Sequence, residues 1–224
     1  MIRVFIGYDP REAVAFNVLS HSIGVRASEP VEIAPLMLSQ LKKVFRREPH
    51  PLQSTDFSFS RFLVPFLSDF RGWSLFCDCD MLMLDDIAKL WALRDERYAV
   101  QVVKHEHKPA ETVKFLNKPQ SKYEKKNWSS VILFNNAKCT ALTLDYVNTA
   151  TGLELHQFKW LGDDSLIGEL PYRWNHLVDY DPTLPVEQLS LIHYTEGGPY
   201  FEDYKMCGYA NLWFAERDRM LYAG

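Results

Sequence analysis

Residues 73–77, WSLFC, form a largely apolar run that leads directly into two aspartates, Asp78 and Asp80. Such a run is typical of a strand buried on both faces at the centre of a parallel α/β sheet. Successive residues of an extended chain point to opposite sides, so the two aspartates share one face and Cys79 lies on the other. Two neighbouring carboxylates repel each other unless a cation or a cluster of donors lies between them. We therefore predict a divalent metal site at Asp78 and Asp80.

Hard carboxylate oxygens suit magnesium or manganese, and both ions bridge phosphate oxygens. The acids that follow have a second explanation, because aspartate is favoured at the start of a helix and an apolar segment begins at Ile87. We assign Asp85 and Asp86 to capping that helix. Capping does not require two carboxylates on one strand face, so we assign Asp78 and Asp80 as metal ligands.

Strand-like and helix-like segments alternate along the chain, which predicts an α/β fold with a mostly parallel central sheet flanked by helices. Ligands of such sheets bind at the carboxyl ends of the strands. We predict strands near residues 2–8, 31–36, 73–77, 98–103, 130–134 and 189–194, and helices over residues 13–23, 55–70, 87–93, 140–149, 163–170 and 209–221. With 224 residues the chain fits one domain, residues 1–224.

Several features exclude other classes of protein. The net charge of −4 gives no basic field for nucleic acid, and no apolar run approaches the roughly 20 residues of a transmembrane segment. Four cysteines without metal-site spacing are expected to be reduced thiols. The first residues lack signal-peptide features, so we expect a cytoplasmic protein.

The polar, lysine-rich stretch 104–128 is too long for an ordinary connection and is interpreted as a lid over a site.

The strand that ends in Asp-x-Asp resembles the DxD motif of GT-A-type glycosyltransferases. Further segments occur in an order similar to glycosyltransferase family 8, the glycogenin and lipopolysaccharide galactosyltransferase group. These segments are IGYDPRE at 6–12, SFSRFLVP at 58–65, NWSSVILFNN at 127–136, GDDSLIGELPYRWN at 162–175 and LIHYTEGGPY at 191–200. The resemblance implies a Rossmann-like GT-A domain that uses a nucleotide-sugar donor and a divalent metal.

The resemblance also implies roles for residues in the first half of the chain. Gly7, Tyr8 and Asp9 would receive the base of the nucleotide, although a tyrosine that ends a strand is equally often a packing residue. Arg61 would reach the donor sugar and the metal-binding carboxylates, with a surface ion pair as its alternative. In the DxD motif, Asp78 and Cys79 would contact the donor.

In the second half, Ser129 and Ser130 would line the donor sugar, although Trp128 stands where the family has asparagine. Asp163 and Asp164 would face the sugar hydroxyls and the reacting carbon, and together with Arg61 they are the predicted catalytic residues. As an alternative, Asp163 caps a helix.

The last matching segment, 191–200, would complete the metal site and hold the diphosphate. His193 would be the third metal ligand, and a mixed oxygen and nitrogen ligand set favours manganese over magnesium. Gly197 and Gly198 would form a phosphate cradle. The family's phosphate-binding lysine has no counterpart at this position, and Lys205 or backbone amides are the predicted replacements.

We therefore predict a hexosyltransferase that moves a sugar from a UDP-sugar to a glycan, a lipid-linked sugar or a protein acceptor. Membership of family 8 would imply retention at the anomeric carbon. A sugar-phosphate nucleotidyltransferase is an alternative, but it normally has a glycine-rich basic loop after the first strand, and residues 9–16, DPREAVAF, contain no glycine. A further alternative is a non-catalytic, lectin-like or scaffold domain that retains a nucleotide-sugar site.

Overall fold

The structure is a computed structural model that describes residues 1–48, 53, 55–106 and 125–222, together with the backbone of 113–114 and 118–119. Most of the predicted lid, 104–128, therefore lies outside the described residues. The strands are β1 Ile2–Gly7, β2 Val31–Leu36, β3 Trp73–Cys77, β4 Met81–Met83, β5 Val100–Val102, β6 Val113–Lys114, β7 Lys118–Pro119, β8 Val131–Asn135, β9 Ile167–Glu169, β10 His176–Leu177 and β11 Leu191–His193.

The main sheet has six strands in the order β2-β1-β3-β8-β5-β9. The pairs β1–β2, β1–β3 and β5–β9 are parallel, whereas β8 runs antiparallel to both of its neighbours. The prediction of a mostly parallel α/β sheet is therefore confirmed. Strand β3 has two strands on one side and three on the other, and it is buried along most of its length. Asp78 and Asp80 follow directly after its carboxyl end.

The helices are α1 Ala13–Gly24, α2 Val64–Leu67, α3 Ile87–Trp91, α4 Leu144–Thr149, α5 Gly152–His156 and α6 Ala210–Tyr222. The crossover helix α1 connects β1 to the parallel strand β2, as predicted. The Asp86 side chain accepts a hydrogen bond from the backbone N–H of Ala88 and caps α3, which confirms its capping role. At α5, Thr151 and Glu154 form a capping box.

Two predicted helices differ from the structure. Residues 55–70 contain a 3₁₀ turn, Ser60–Leu63, followed by the short helix α2, because Pro65 is accommodated only in the first turn of a helix. The prediction of a helix over 163–170 is wrong: one 3₁₀ turn, Asp164–Leu166, leads into β9 at the sheet edge. Pairing with β5 overrides the local preference there.

A second, three-stranded sheet has the order β10-β11-β4 and was not predicted. Strand β11 lies within the predicted strand near residues 189–194, whereas β4 and β10 have only three and two residues, too few for hydrophobic periodicity to indicate them. Strand β11 runs antiparallel to β4 and places His193 opposite Met81. The backbone N–H of Tyr194 donates to Asp80 O at 2.9 Å. This small sheet therefore brings the end of β11 beside the Asp-x-Asp segment.

All four cysteines are free thiols, as predicted, and Cys77, Cys79 and Cys139 are buried. None of the helices in the described part of the chain combines the length and apolar character that crossing a membrane requires.

Candidate functional site

Two acidic residues and one histidine meet at the carboxyl end of β3. One ligand atom from each of Asp78, Asp80 and His193 lies within 4.8 Å of the others. His193 Nε2 is 3.2 Å from Asp80 Oδ1 and 3.9 Å from Asp78 Oδ2. The prediction that these three residues come together is therefore confirmed. Among the described residues, no other group of three His, Cys, Asp or Glu side chains forms such a cluster.

The orientation of His193 is fixed by Asn175, a residue to which the sequence analysis gave no role. His193 Nδ1 is 3.1 Å from Asn175 Oδ1, so Nδ1–H donates to the amide oxygen and Nε2 faces the carboxylates. The amide nitrogen of Asn175 in turn donates to Ser130 Oγ at 2.8 Å. Partners of this kind set the tautomer and direction of a metal-binding histidine.

Arg61 is the cation of this cluster. Its side chain is only 7% exposed, and Nη1 lies 2.8 Å from Asp78 Oδ1 and donates to Ser129 O, also at 2.8 Å. The guanidinium carbon lies 4.9 Å from the centre of the Phe76 ring, within cation–π range. Arg61 therefore faces the acidic site as predicted, and the alternative of a surface ion pair is wrong.

Burial and charge shift the pKa values of the cluster. Burial, together with the charge of Asp80, raises the pKa of Asp78, and the guanidinium of Arg61 opposes this shift. Burial by itself lowers the pKa of His193, but the charges of Asp80 and Asp78 outweigh it and leave the pKa raised. The Asp78 shift is thus due mainly to burial, whereas the His193 shift is due to the two neighbouring carboxylates.

The residues present fit a divalent metal ion. Asp78 Oδ1 and Asp80 Oδ1 are buried and accept no hydrogen bond of acceptable geometry within the described residues. The nearest cationic group to Asp78 Oδ1 is Arg61, at 2.8 Å, and His193 Nε2 lies 3.2 Å from Asp80 Oδ1. Two carboxylates against one guanidinium leave net negative charge, and oxygen ligands with one imidazole suit a divalent ion. These three side chains are the ones that could hold it.

The cluster opens into a cavity of about 930 Å³. Ser129, Ser130 and Gly197 line it, and their contact with a donor stays a prediction. The Gly197 φ of 143° is accessible to glycine and rarely to other residues. The described cations that line the cavity are Arg47, Arg61, Lys125 and Lys126.

A hydrogen-bonded pair of the buried Ser129 and the half-buried His156 lines this cavity. Ser129 Oγ is 2.7 Å from His156 Nδ1. Burial and the nearby charge of Arg61 lower the pKa of His156 to about 3, so the ring is neutral and its Nδ1 can accept the hydroxyl hydrogen. The lone pairs of Ser129 Oγ then remain available to the donors of a ligand.

The residues predicted to bind the base do not line this cavity. Gly7 is buried under Phe57, whose ring would lie 2.4 Å from a Cβ placed on Gly7. The Tyr8 ring packs edge-on against Phe16 with centroids 5.5 Å apart. The carboxylate of Asp9 is 1% exposed and accepts hydrogen bonds from the backbone and guanidinium of Arg11. Their contact with a base stays a prediction.

Five further predicted residues lie outside the cavity lining, among them Cys79, which is buried and whose thiol donates to Glu12. Asp163 caps the 3₁₀ turn Asp164–Leu166, as its alternative interpretation proposed. Asp164 is exposed and forms an ion pair of 2.6 Å with Lys125. Lys205 is exposed and pairs with Glu202. Gly198 is buried, and Tyr200 packs against it. Their contacts with a donor stay predictions.

Glu12 is a cavity residue that the sequence analysis missed. Its Oε2 accepts hydrogen bonds from the thiol of Cys79 and the hydroxyl of Tyr200, each at 3.3 Å. Burial, together with the charge of Asp80, raises the pKa of Glu12 to about 7. Its place directly after the first strand, in a segment already assigned to nucleotide binding, was the one signal that could have identified it.

One protein of similar sequence identifies a family. The chain is 46% identical over 223 residues to Protein CDI of Arabidopsis thaliana, and the match covers 96% of this chain and 86% of that protein. No protein-family model matches the chain.

Solved structures of glycosyltransferases are similar in fold. The bifunctional glycosyltransferase WbbM in its apo form aligns with a TM-score of 0.61, 16% identity and 96% coverage of this chain. GlyE of Streptococcus pneumoniae aligns with a TM-score of 0.62, 15% identity and the same coverage. The galactosyltransferase LgtC, solved with donor and acceptor sugar analogues, gives a TM-score of 0.58 at 13% identity and 96% coverage of this chain.

The match spans 95% of LgtC, but only 49% of WbbM and 60% of GlyE. At these identities the likeness concerns the fold: the chain has a GT-A-type α/β fold.

Proposed function

This chain belongs to the same family as Protein CDI of Arabidopsis thaliana, and we propose that it is a metal-dependent glycosyltransferase with a nucleotide-sugar donor. The observation that carries this proposal is the buried cluster of Asp78, Asp80 and His193, which faces a cavity of about 930 Å³ at the carboxyl end of the central strand. Ligands of open α/β sheets bind at this end of the strands.

Asp78, Asp80 and His193 would hold a divalent ion, and the chemistry supplied there by the bound ion is electrostatic stabilisation of the departing diphosphate. Arg61 holds Asp78 in place and neutralises part of the acidic charge. Asn175 keeps His193 Nε2 directed at the carboxylates. These contacts fix the ligand geometry before any donor arrives, which lowers the reorganisation required during the reaction.

For the finer specificity we propose a UDP-hexose donor, manganese as the ion, and a glycan, lipid-linked sugar or protein as acceptor, with retention at the anomeric carbon. The imidazole in the ligand set supports manganese. Lys125 and Lys126 line the cavity and are candidates to meet a diphosphate, although Lys125 is paired with Asp164; Lys205 is paired with Glu202 outside the cavity. Free thiols at all four cysteines agree with a cytoplasmic location.

The proposal is tested by titrating UDP into the protein with and without manganese and by screening UDP-sugars for metal-dependent hydrolysis. Asp80→Asn should reduce manganese affinity by more than about tenfold, since even indirect partners of a metal contribute 10–100-fold. Asp145→Asn, which alters an exposed acid in the first turn of α4, is the matched control and should bind like wild type.

If Asp80→Asn binds manganese as tightly as Asp145→Asn does, the metal assignment is wrong. Manganese-dependent UDP binding without hydrolysis or transfer of any UDP-sugar would favour the non-catalytic alternative. Release of pyrophosphate from a nucleoside triphosphate and a sugar phosphate would favour the nucleotidyltransferase.

A further inference from the structure

Glu12 forms a second polar feature of the cavity, separate from the candidate metal ligands. It is the residue directly before α1 and lines the same cavity as Arg61. The two hydrogen bonds to its Oε2 come from Cys79, between the two aspartates, and from Tyr200, which follows β11. Three distant segments of the chain therefore converge on one carboxylate.

The two donors fix the direction of this carboxylate. Cys79 is buried, and the Tyr200 ring packs against Trp213 with centroids 5.5 Å apart and against Phe201 at 4.7 Å. Oε2 is therefore occupied. Within the described residues, Oε1 accepts no hydrogen bond, and Glu12 lies on the cavity wall.

The two donors do not compensate the burial of this carboxylate. A thiol is a weak donor, and both contacts are long at 3.3 Å. Glu12 is half-buried, so its carboxylate loses part of its hydration, and two weak contacts offset that loss only in part. A purely structural link between Cys79 and Tyr200 would be served as well by a glutamine. The missing donor is thus expected from a ligand in the cavity.

We propose that Glu12 accepts a hydrogen bond through Oε1 from a sugar hydroxyl of the donor, with Tyr200 and Cys79 as the residues that position it. This inference rests on the proposed nucleotide-sugar transferase function. A direct role as a metal ligand is less well supported, because Glu12 is not part of the cluster whose ligand atoms lie within 4.8 Å. The hydroxyl belongs either to the ribose or to the transferred sugar.

Binding of UDP, UDP-glucose and UDP-galactose in the presence of manganese distinguishes these two sources. Glu12→Ala should weaken binding by about tenfold to a hundredfold, the effect of losing a hydrogen bond to a charged group. A loss for UDP itself indicates the ribose, and a loss confined to the UDP-sugars indicates the transferred sugar. Glu187→Ala, which removes an exposed acid from the turn Val186–Gln188, is the control and should bind like wild type.

Two further measurements separate recognition from a structural role. Glu12→Gln should also bind more weakly than wild type, because its amide oxygen takes the place of Oε2 beside the donors Cys79 and Tyr200 and its NH2 group replaces the acceptor Oε1; wild-type affinity of this variant would indicate a purely structural role. If the ribose is the partner, either 2′-deoxy-UDP or 3′-deoxy-UDP should bind wild type more weakly than UDP does. Glu12→Ala should then bind that deoxy analogue and UDP with equal affinity. Tyr200→Phe removes one donor to Oε2 and should show a smaller loss of affinity than Glu12→Ala.

Equal affinities of wild type and Glu12→Ala for all three nucleotides overturn the inference while leaving the proposed function intact. Weaker binding of manganese alone to Glu12→Ala would identify Glu12 as a metal ligand and overturn the hydroxyl assignment. If wild type shows no manganese-dependent binding of UDP or of either UDP-sugar, the proposed function fails and this inference fails with it.

Discussion

Replacing Arg61 by lysine keeps the charge of the site but removes the planar guanidinium. In the structure one nitrogen, Nη1, serves both Asp78 Oδ1 and Ser129 O at 2.8 Å, while the group lies near the rings of Phe57 and Phe76. A lysine ammonium is a point charge on a flexible stem and has no planar face to stack on a ring. It can keep one of the two polar contacts but not the stacking.

The magnitude follows from the contacts that are lost. One hydrogen bond to a charged group contributes about 1.5–3 kcal/mol, and a partly desolvated cation–π contact about 0.5–2 kcal/mol. Because the lysine retains its charge beside Asp78, we expect a net destabilisation of about 2–3 kcal/mol. A domain of this size loses about 2–4 °C of Tm per kcal/mol, so the midpoint should fall by roughly 4–12 °C.

Thermal unfolding of Arg61→Lys and Arg3→Lys measures this effect. Arg3 pairs with Glu32 at 3.4 Å, and both side chains are more than 40% exposed, so its replacement should change stability by less than about 0.5 kcal/mol. Turnover per folded molecule should also fall for Arg61→Lys, because Asp78 loses its fixed partner. If both variants melt within about 1 °C of each other, the guanidinium geometry does not stabilise the site and the reasoning is refuted.

Two other perturbations have effects that can be worked out from the contacts. Burial disfavours the charge of Glu216, but hydrogen bonds, the one from Arg26 above all, outweigh it and lower the pKa. The stabilisation is therefore complete above the unfolded value of about 4.5 and is lost as the pH falls through the lower folded value. At pH 7, chemical denaturation should show Glu216→Gln to be about 2 kcal/mol less stable than wild type, and the difference should shrink in acid. A difference in stability that does not change with pH would contradict this. Gly7→Ala should lower the free energy of unfolding by about 1–3 kcal/mol, because its Cβ would lie 2.4 Å from Phe57. Gly24→Ala is the control: its Cβ meets no atom within 4 Å, so stability should be unchanged or higher. Equal denaturation midpoints for the two variants would contradict the predicted clash.

Much of the main sheet could be predicted from local patterns. The strand Val31–Leu36 has the predicted bounds, and β1 and β3 were placed to within one residue, because buried strands leave continuous apolar runs. The shorter strands β4, β9 and β10 could not be predicted. Each has two or three residues, and pairing partners distant in the chain decide their conformation.

The sequence by itself determined the chemistry of the candidate site. Alternation along an extended chain placed Asp78 and Asp80 together, and the conflict between two carboxylates implied a cation. The resemblance to a known family brought His193 and Arg61 to the same place, and the structure joins all four.

The tertiary structure decided which of the other polar residues belong to that site. Glu12, His156 and Asn175 lie in separate parts of the sequence and received no role from its motifs, and the packing of separate segments directs them toward the cavity or its ligands. The same packing pairs Asp164 with Lys125, whereas Asp9 is bound locally by Arg11, two residues further along the chain. A local pattern specifies which face of a strand a side chain occupies, but the partner across the cavity depends on chain segments that meet only after folding.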